Sequence, residues 1–144
     1  MKNRSFRWYL PVLAVILPLS LLLLSSCSST SSSSSEFYNA GNASISVTGA
    51  QFDEYILFSF DTSSSALTLA LPSAADIVAN TSSPFVGEVI SFAVSAEGAN
   101  AVTLIPGTNV ALGQSIMTVP PNTTVTMYCV LDNVTSGSEE VNIY

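Results

Sequence analysis

Beyond Cys27 this chain has no lysine, arginine or histidine. Its three basic side chains, Lys2, Arg4 and Arg7, all lie within the first seven of 144 residues. All ten carboxylates follow Cys27: Glu36, Asp53, Glu54, Asp61, Asp76, Glu88, Glu97, Asp132, Glu139 and Glu140. The part after Cys27 is therefore a purely acidic body of about −10, counting side chains. Nucleic-acid binding depends on Lys and Arg displacing phosphate counterions, so no nucleic acid is expected as a partner. Phosphorylated ligands would meet only repulsion unless a metal intervened. A histidine general base, a Schiff-base lysine and an arginine clamp are excluded in the same way.

Other scarcities narrow the chemistry further. There are two cysteines, Cys27 and Cys129. Cys129 has no histidine to deprotonate it and no resolving partner nearby, and it lies on the apolar side of an alternating run, so it reads as an inert core thiol. A Cys27–Cys129 disulfide requires that Cys27 carry no lipid. The single tryptophan, Trp8, falls in the N-terminal apolar stretch and cannot serve as a sugar platform. No Gly-rich phosphate loop, nucleophile elbow or metal-ligand cluster occurs. A glycosidase-type pair of carboxylates facing across a cleft is not indicated by any spacing. The chain is therefore expected not to be an enzyme, with a secreted hydrolase as a remote alternative, and to need no cofactor. The one metal option is Ca²⁺, for which Asp53, Glu54, Asp132, Glu139 and Glu140 are weak candidates near strand ends, none in an EF-hand pattern.

The N-terminus carries the most specific signal. MKNRSFR is a positive leader, and WYLPVLAVILPLSLLLL follows as 17 apolar residues, 8 to 24. Leu24-Ser25-Ser26-Cys27 then resembles the lipobox of bacterial lipoproteins, in which the cysteine is acylated (the palmitate-type modification) and becomes the new N-terminus. Three readings remain open: a lipoprotein signal with lipidation at Cys27, an uncleaved membrane anchor at the lower length limit for spanning, and a simple secretory signal. All three put the remainder outside the cytoplasm, with basic residues before the stretch and none after it. The expected location is a bacterial outer membrane or cell surface. Residues 1–26 are thus assigned as signal peptide or membrane anchor, 27–43 as a Ser-rich flexible tether, and 44–144 as the folded domain. Asn-x-Ser/Thr sequons at Asn42, Asn80, Asn122 and Asn133 are coincidental in a bacterial lipoprotein.

After Gly41 short β-type runs alternate with Gly, Pro, Asn and Ser. Strands are expected at 44–49, 54–60, 66–71, 88–95, 101–105, 109–112, 115–119, 123–131 and 139–143, with one short helix at 73–79. The pattern predicts an all-β fold, a small sandwich. Residues 123–131 alternate cleanly, with Val125, Met127, Cys129 and Leu131 on one side. Residues 54–60 are apolar on both sides (Ile56, Phe58 and Phe60 against Tyr55 and Leu57), which calls for cover on both. In so small a domain a subunit interface would provide it, so a homo-oligomer is expected.

From residue 67 onward a resemblance emerges. LALPSAADIVAN, VGEVISFAVSAEGANAVTLIPGTNVAL and PPNTTVTMYCVLDNVTSGSEEVNIY resemble the C-terminal globular domains of collagen-like and fibre proteins of phages and large DNA viruses. The ending NVTSGSEEVNIY (133–144) is its most specific part. The resemblance implies a jelly-roll-like sandwich, often trimeric, serving as a structural or attachment head, and it transfers no catalytic residue. Upstream, this chain departs from the family: the collagen stem is replaced by the signal, lipobox and serine run. The function expected is a membrane-tethered, non-catalytic structural or binding module that self-associates. The alternative is a virion or filament surface subunit with an uncleaved anchor.

Overall fold

The computed structural model describes residues 37–113 and 117–144. The assigned signal or anchor, the serine run and Cys27 lie outside the described residues. Ten strands and two short helices follow one another as β1 (Phe37–Gly41), β2 (Ile45–Ser46), α1 (Gly49–Glu54), β3 (Leu57–Phe60), β4 (Leu67–Ala70), α2 (Ala74–Asn80), β5 (Val89–Ala96), β6 (Val102–Ile105), β7 (Val110–Leu112), β8 (Met117–Val119), β9 (Thr123–Asn133) and β10 (Glu140–Ile143). They form a six-stranded sheet in the order β1-β3-β5-β9-β10-β7 and a four-stranded sheet in the order β2-β4-β6-β8. The all-β, two-layer expectation therefore holds.

The winding has its own character. From β1 to β9 each strand enters the sheet opposite to the one before it. In consequence β1, β3 and β5 run parallel in one sheet and β2, β4 and β6 run parallel in the other. A parallel pair needs a crossover, and here each crossover passes through the facing sheet and leaves one strand there. The antiparallel pairs come later, where β9 returns along β5, β10 along β9 and β8 along β6. Jelly rolls are built from antiparallel Greek keys, so the parallel first half is a feature that such a layout lacks.

One core lies between the sheets. Phe58, Phe60, Phe92, Val94, Met127, Cys129, Leu131 and Ile143 enter it from the larger sheet. Leu67, Leu69, Val102, Leu104 and Val119 enter from the smaller one. Every second residue of β9 from Met127 to Leu131 is buried, so the expected alternation is realised.

The strand expected at 54–60 begins only at Leu57, because Glu54 ends α1, and two further elements depart from the sequence reading. Phe37–Gly41, assigned to the tether, is a strand that pairs in parallel with β3. The folded domain therefore begins at least as early as Phe37, and Tyr38 and Ala40 pack against the core. The expected strand at 44–49 shrinks to two residues because Thr48 turns the chain into α1. Thr48 Oγ1 accepts from the Gln51 N–H at 3.3 Å, and Gln51 Oε1 accepts from the Thr48 N–H at 3.0 Å. This reciprocal capping box satisfies two orphan donors. The helix then delivers Phe52 into the core, edge-on to Phe92 with ring centroids 4.9 Å apart.

The expected helix at 73–79 is present as α2. Ser73 caps it by accepting from the Asp76 N–H at 3.1 Å, and Ala74, Ile77 and Val78 are its buried side. The two helices pack closely because Gly49 has no side chain. A Cβ there would overlap the Asp76 carbonyl and the Asn80 amide.

Candidate functional site

The carboxylates show where contact is easiest. Asp53 and Glu54 end α1, Asp76 lies in α2, and Asp61, Glu88, Glu97 and Glu139 lie in connections between elements. Among the described residues, the strands hold only Asp132, one residue from the end of β9, and Glu140, which opens β10. Among the described residues the middles of the strands are thus uncharged, and Asp132 and Glu140 stand only at strand ends.

The outer face of the six-stranded sheet is the more apolar. Register builds it in cross-strand rows, whose side chains stand next to one another on the pleated surface. One row runs Phe37–Leu57–Ala93–Thr126. Another joins Ser91 to Tyr128, and Tyr128 exchanges two backbone hydrogen bonds with Tyr144 at 2.9 and 3.0 Å. A third runs Val89–Val130–Asn142–Ala111. Phe37, Val89, Tyr128 and Tyr144 are between 50% and 59% exposed, far more than core side chains. The turn leading into β5 adds exposed Phe85 and Val86. It is fastened to β9 by the Gly87 N–H, which donates to the Leu131 carbonyl at 2.8 Å.

A polar row closes this face at one end: Asn39–Ser59–Ser95–Thr124. Ser59 Oγ donates to Glu97 at 2.5 Å, and Thr124 Oγ1 donates to Ser95 Oγ at 2.8 Å. Ser59 and Ser95 are buried, so these bonds satisfy groups that would otherwise be costly. At the opposite end Asn142 Nδ2 donates to Asp132.

The outer face of the smaller sheet differs in kind. Thr68, Thr103 and Thr118 stand in one register row across β4, β6 and β8. Among the described residues only Ile105, 47% exposed, is a large apolar group there.

The residues singled out from sequence are dispersed. Asp132 and Glu140 border one shallow hollow with Asn109 and Asn142. Asp53 and Glu54 are on α1, and the Glu139 carboxylate accepts from the Gly137 N–H at 3.0 Å within its own turn. Among the described residues no three His, Cys, Asp or Glu side chains gather as a metal set. Cys129 is fully buried, flanked in register by Ile90 and Ile143. Burial pushes its thiol up to about 12. A thiol held protonated in this way is a poor nucleophile. Cys27 lies outside the described residues. Asp61 is held below the ordinary carboxylate range by hydrogen bonds from the side chain and backbone of Ser63. Among the described residues no helix is long and apolar enough to cross a membrane.

The two-sided segment 54–60 is only partly covered by packing within the described chain. Tyr55 lies edge-on to Tyr38 at 5.1 Å and also meets Phe58. Leu57 stays half-exposed on the outer face and Ile56 is 49% exposed. The face as a whole escapes sequence reading, because its apolar members come from β1, β3, β5, β9 and Tyr144, and only register makes them neighbours.

In comparisons with family models, curated proteins and solved structures, the chain matches none.

Proposed function

We propose that this chain is an exported head, held at a membrane by its N-terminus, that acts as a non-catalytic structural or attachment module. The observation that carries the reading is the layout of charge: a body with no basic residue after Cys27, its described carboxylates set in the short helices, at strand ends and in connections, and two sheet faces uncharged at their centres. Such a molecule is suited to contact through faces and stays soluble through its acidic rim. Leu24-Ser25-Ser26-Cys27 supplies the anchor, through acylation of Cys27, and the serine run supplies reach. The likeness to phage and viral fibre heads supports the same role and a jelly-roll-like ancestry, with the homo-oligomer as its working form and a trimer favoured. The antiparallel set β5-β9-β10, which holds much of the likeness, accords with that ancestry.

The mass of the mature N-terminus tests the anchor. An acylated Cys27 is expected, and Cys27→Ser should release the chain from the membrane fraction or block its processing. An intact Met1 on a membrane-bound chain would instead favour the uncleaved-anchor subunit. A Cys27→Ser variant that fractionates and migrates like the parent would remove the lipid. Glycan hydrolysis abolished by a single Asp→Asn change would overturn the non-catalytic role.

A further inference from the structure

We propose that the outer face of the six-stranded sheet is where copies of this chain meet one another. The inference rests on the tethered-head reading and adds to it the surface and the occupant. Apolar content selects this face. Phe37, Val89, Tyr128 and Tyr144 are each at least half exposed on it, whereas the opposite sheet presents mainly threonines and small side chains around Ile105. Large exposed apolar patches rimmed by polar groups mark contact surfaces.

Charge selects the occupant. A basic partner would be drawn to the carboxylates at strand ends and connections, away from this face. A second copy carries the same acidic rim, so two copies can approach only where neither presents charge. The carboxylates that border the face stand at its ends, Glu97 at one and Asp132 with Glu140 at the other, and Glu97 and Asp132 each accept a hydrogen bond from a neighbour. Repulsion between rims is screened over about 8 Å at physiological ionic strength, so association tightens as salt rises.

Size points the same way. Six strands about 4.8 Å apart and four rows about 7 Å apart make a patch of roughly 24 by 20 Å. That is at the small end of protein interfaces, where free molecules associate weakly. A shared membrane raises the local concentration of identical heads and makes a weak contact effective. Only another copy is guaranteed to be presented in this way.

The test uses the full chain in cells, with cysteine placed singly at Thr126 on the central row or at Thr103 on the opposite sheet. A flexible bis-maleimide is then added, and the parent chain, with Cys129 buried and Cys27 unchanged, gives the background. Thr126→Cys should yield covalent oligomers well above the parent, and Thr103→Cys should not. Adding Tyr128→Glu to Thr126→Cys should cut the yield roughly tenfold or more, since facing like charges are strongly repulsive. The Tyr128→Glu chain should melt within a few degrees of the parent, because position 128 faces away from the core. Background-level coupling at Thr126→Cys, equal coupling at both positions, or indifference to Tyr128→Glu would each overturn the face. Fractionation of the same cells reports on the tether separately. Coupling at Thr126→Cys in a soluble chain upholds the face and removes the tether, and a membrane-bound chain without coupling does the reverse.

Discussion

Cys129 sits at the centre of the larger sheet with Ile90 and Ile143 beside it in register and no exposed surface. Its thiol is pushed up to about 12 by burial alone. Because the folded state holds this proton more tightly than the unfolded chain does, its contribution to stability is fully present below about pH 9. It is lost as pH rises from there toward 12, at about 1.4 kcal/mol per pH unit at most. Thermal melts across that range should therefore fall more steeply for the parent than for Cys129→Ala, the tyrosines being common to both. At neutral pH the order reverses: Cys129→Ala should cost on the order of 1 kcal/mol or somewhat more through the cavity it leaves. The native thiol should also resist maleimide. Identical pH slopes for the two proteins, or rapid labelling of the native protein, would show the thiol to be accessible. This residue was legible in the sequence, because alternation along 123–131 already put it with Met127 and Leu131 on the buried side.

At the scale of elements, α1 is the part that sequence reading passed over. SISVTG looks like a strand because Ile45 and Val47 alternate with small polar residues. Thr48-x-x-Gln51 was the available contrary signal, and the structure completes it as a capping box. Thr48→Ala should lower stability by about 1 kcal/mol, as loss of a helix cap typically does. It should also loosen Phe52 from Phe92, which would be visible as altered aromatic signals in NMR spectra. An unchanged melting temperature would mean that core burial of Phe52 alone holds the helix. β1 was hidden for a different reason. FYNAG follows a long serine run and looks like its continuation, but pairing with β3 gives Tyr38 and Ala40 a core to join. The hollow between β7 and β10 gathers Asp132 and Glu140 but no third carboxylate. Ca²⁺ takes six to eight oxygen ligands, so a chelator should leave the melting temperature unchanged. A drop on chelation would mean that the ion binds the folded state there.

For the whole molecule, the sequence by itself determined the sign of the charge after Cys27, the class of the fold and which side-chain types are missing after Cys27. Each follows from composition or short-range pattern: no basic residue after Cys27, period-two alternation, and turn residues at close intervals. Leu24-Ser25-Ser26-Cys27, which resembles a lipobox, is likewise a local string, and the anchoring proposed from it needs no tertiary information to state. Only the tertiary structure decided how the strands are ordered. Alternation fixes which side of a strand is apolar, and says nothing of its neighbour or of whether the two run parallel. The parallel winding of β1 to β6 therefore left no trace in the pattern. The outer face was settled in the same way. Phe37, Val89, Tyr128 and Tyr144 are spread over more than a hundred residues of chain, and each alone is an ordinary exposed side chain. Backbone pairing across β1, β3, β5, β9 and β10 assembles them into one surface with carboxylates only at its ends, because hydrogen-bonded register, not sequence distance, sets which side chains share a sheet face.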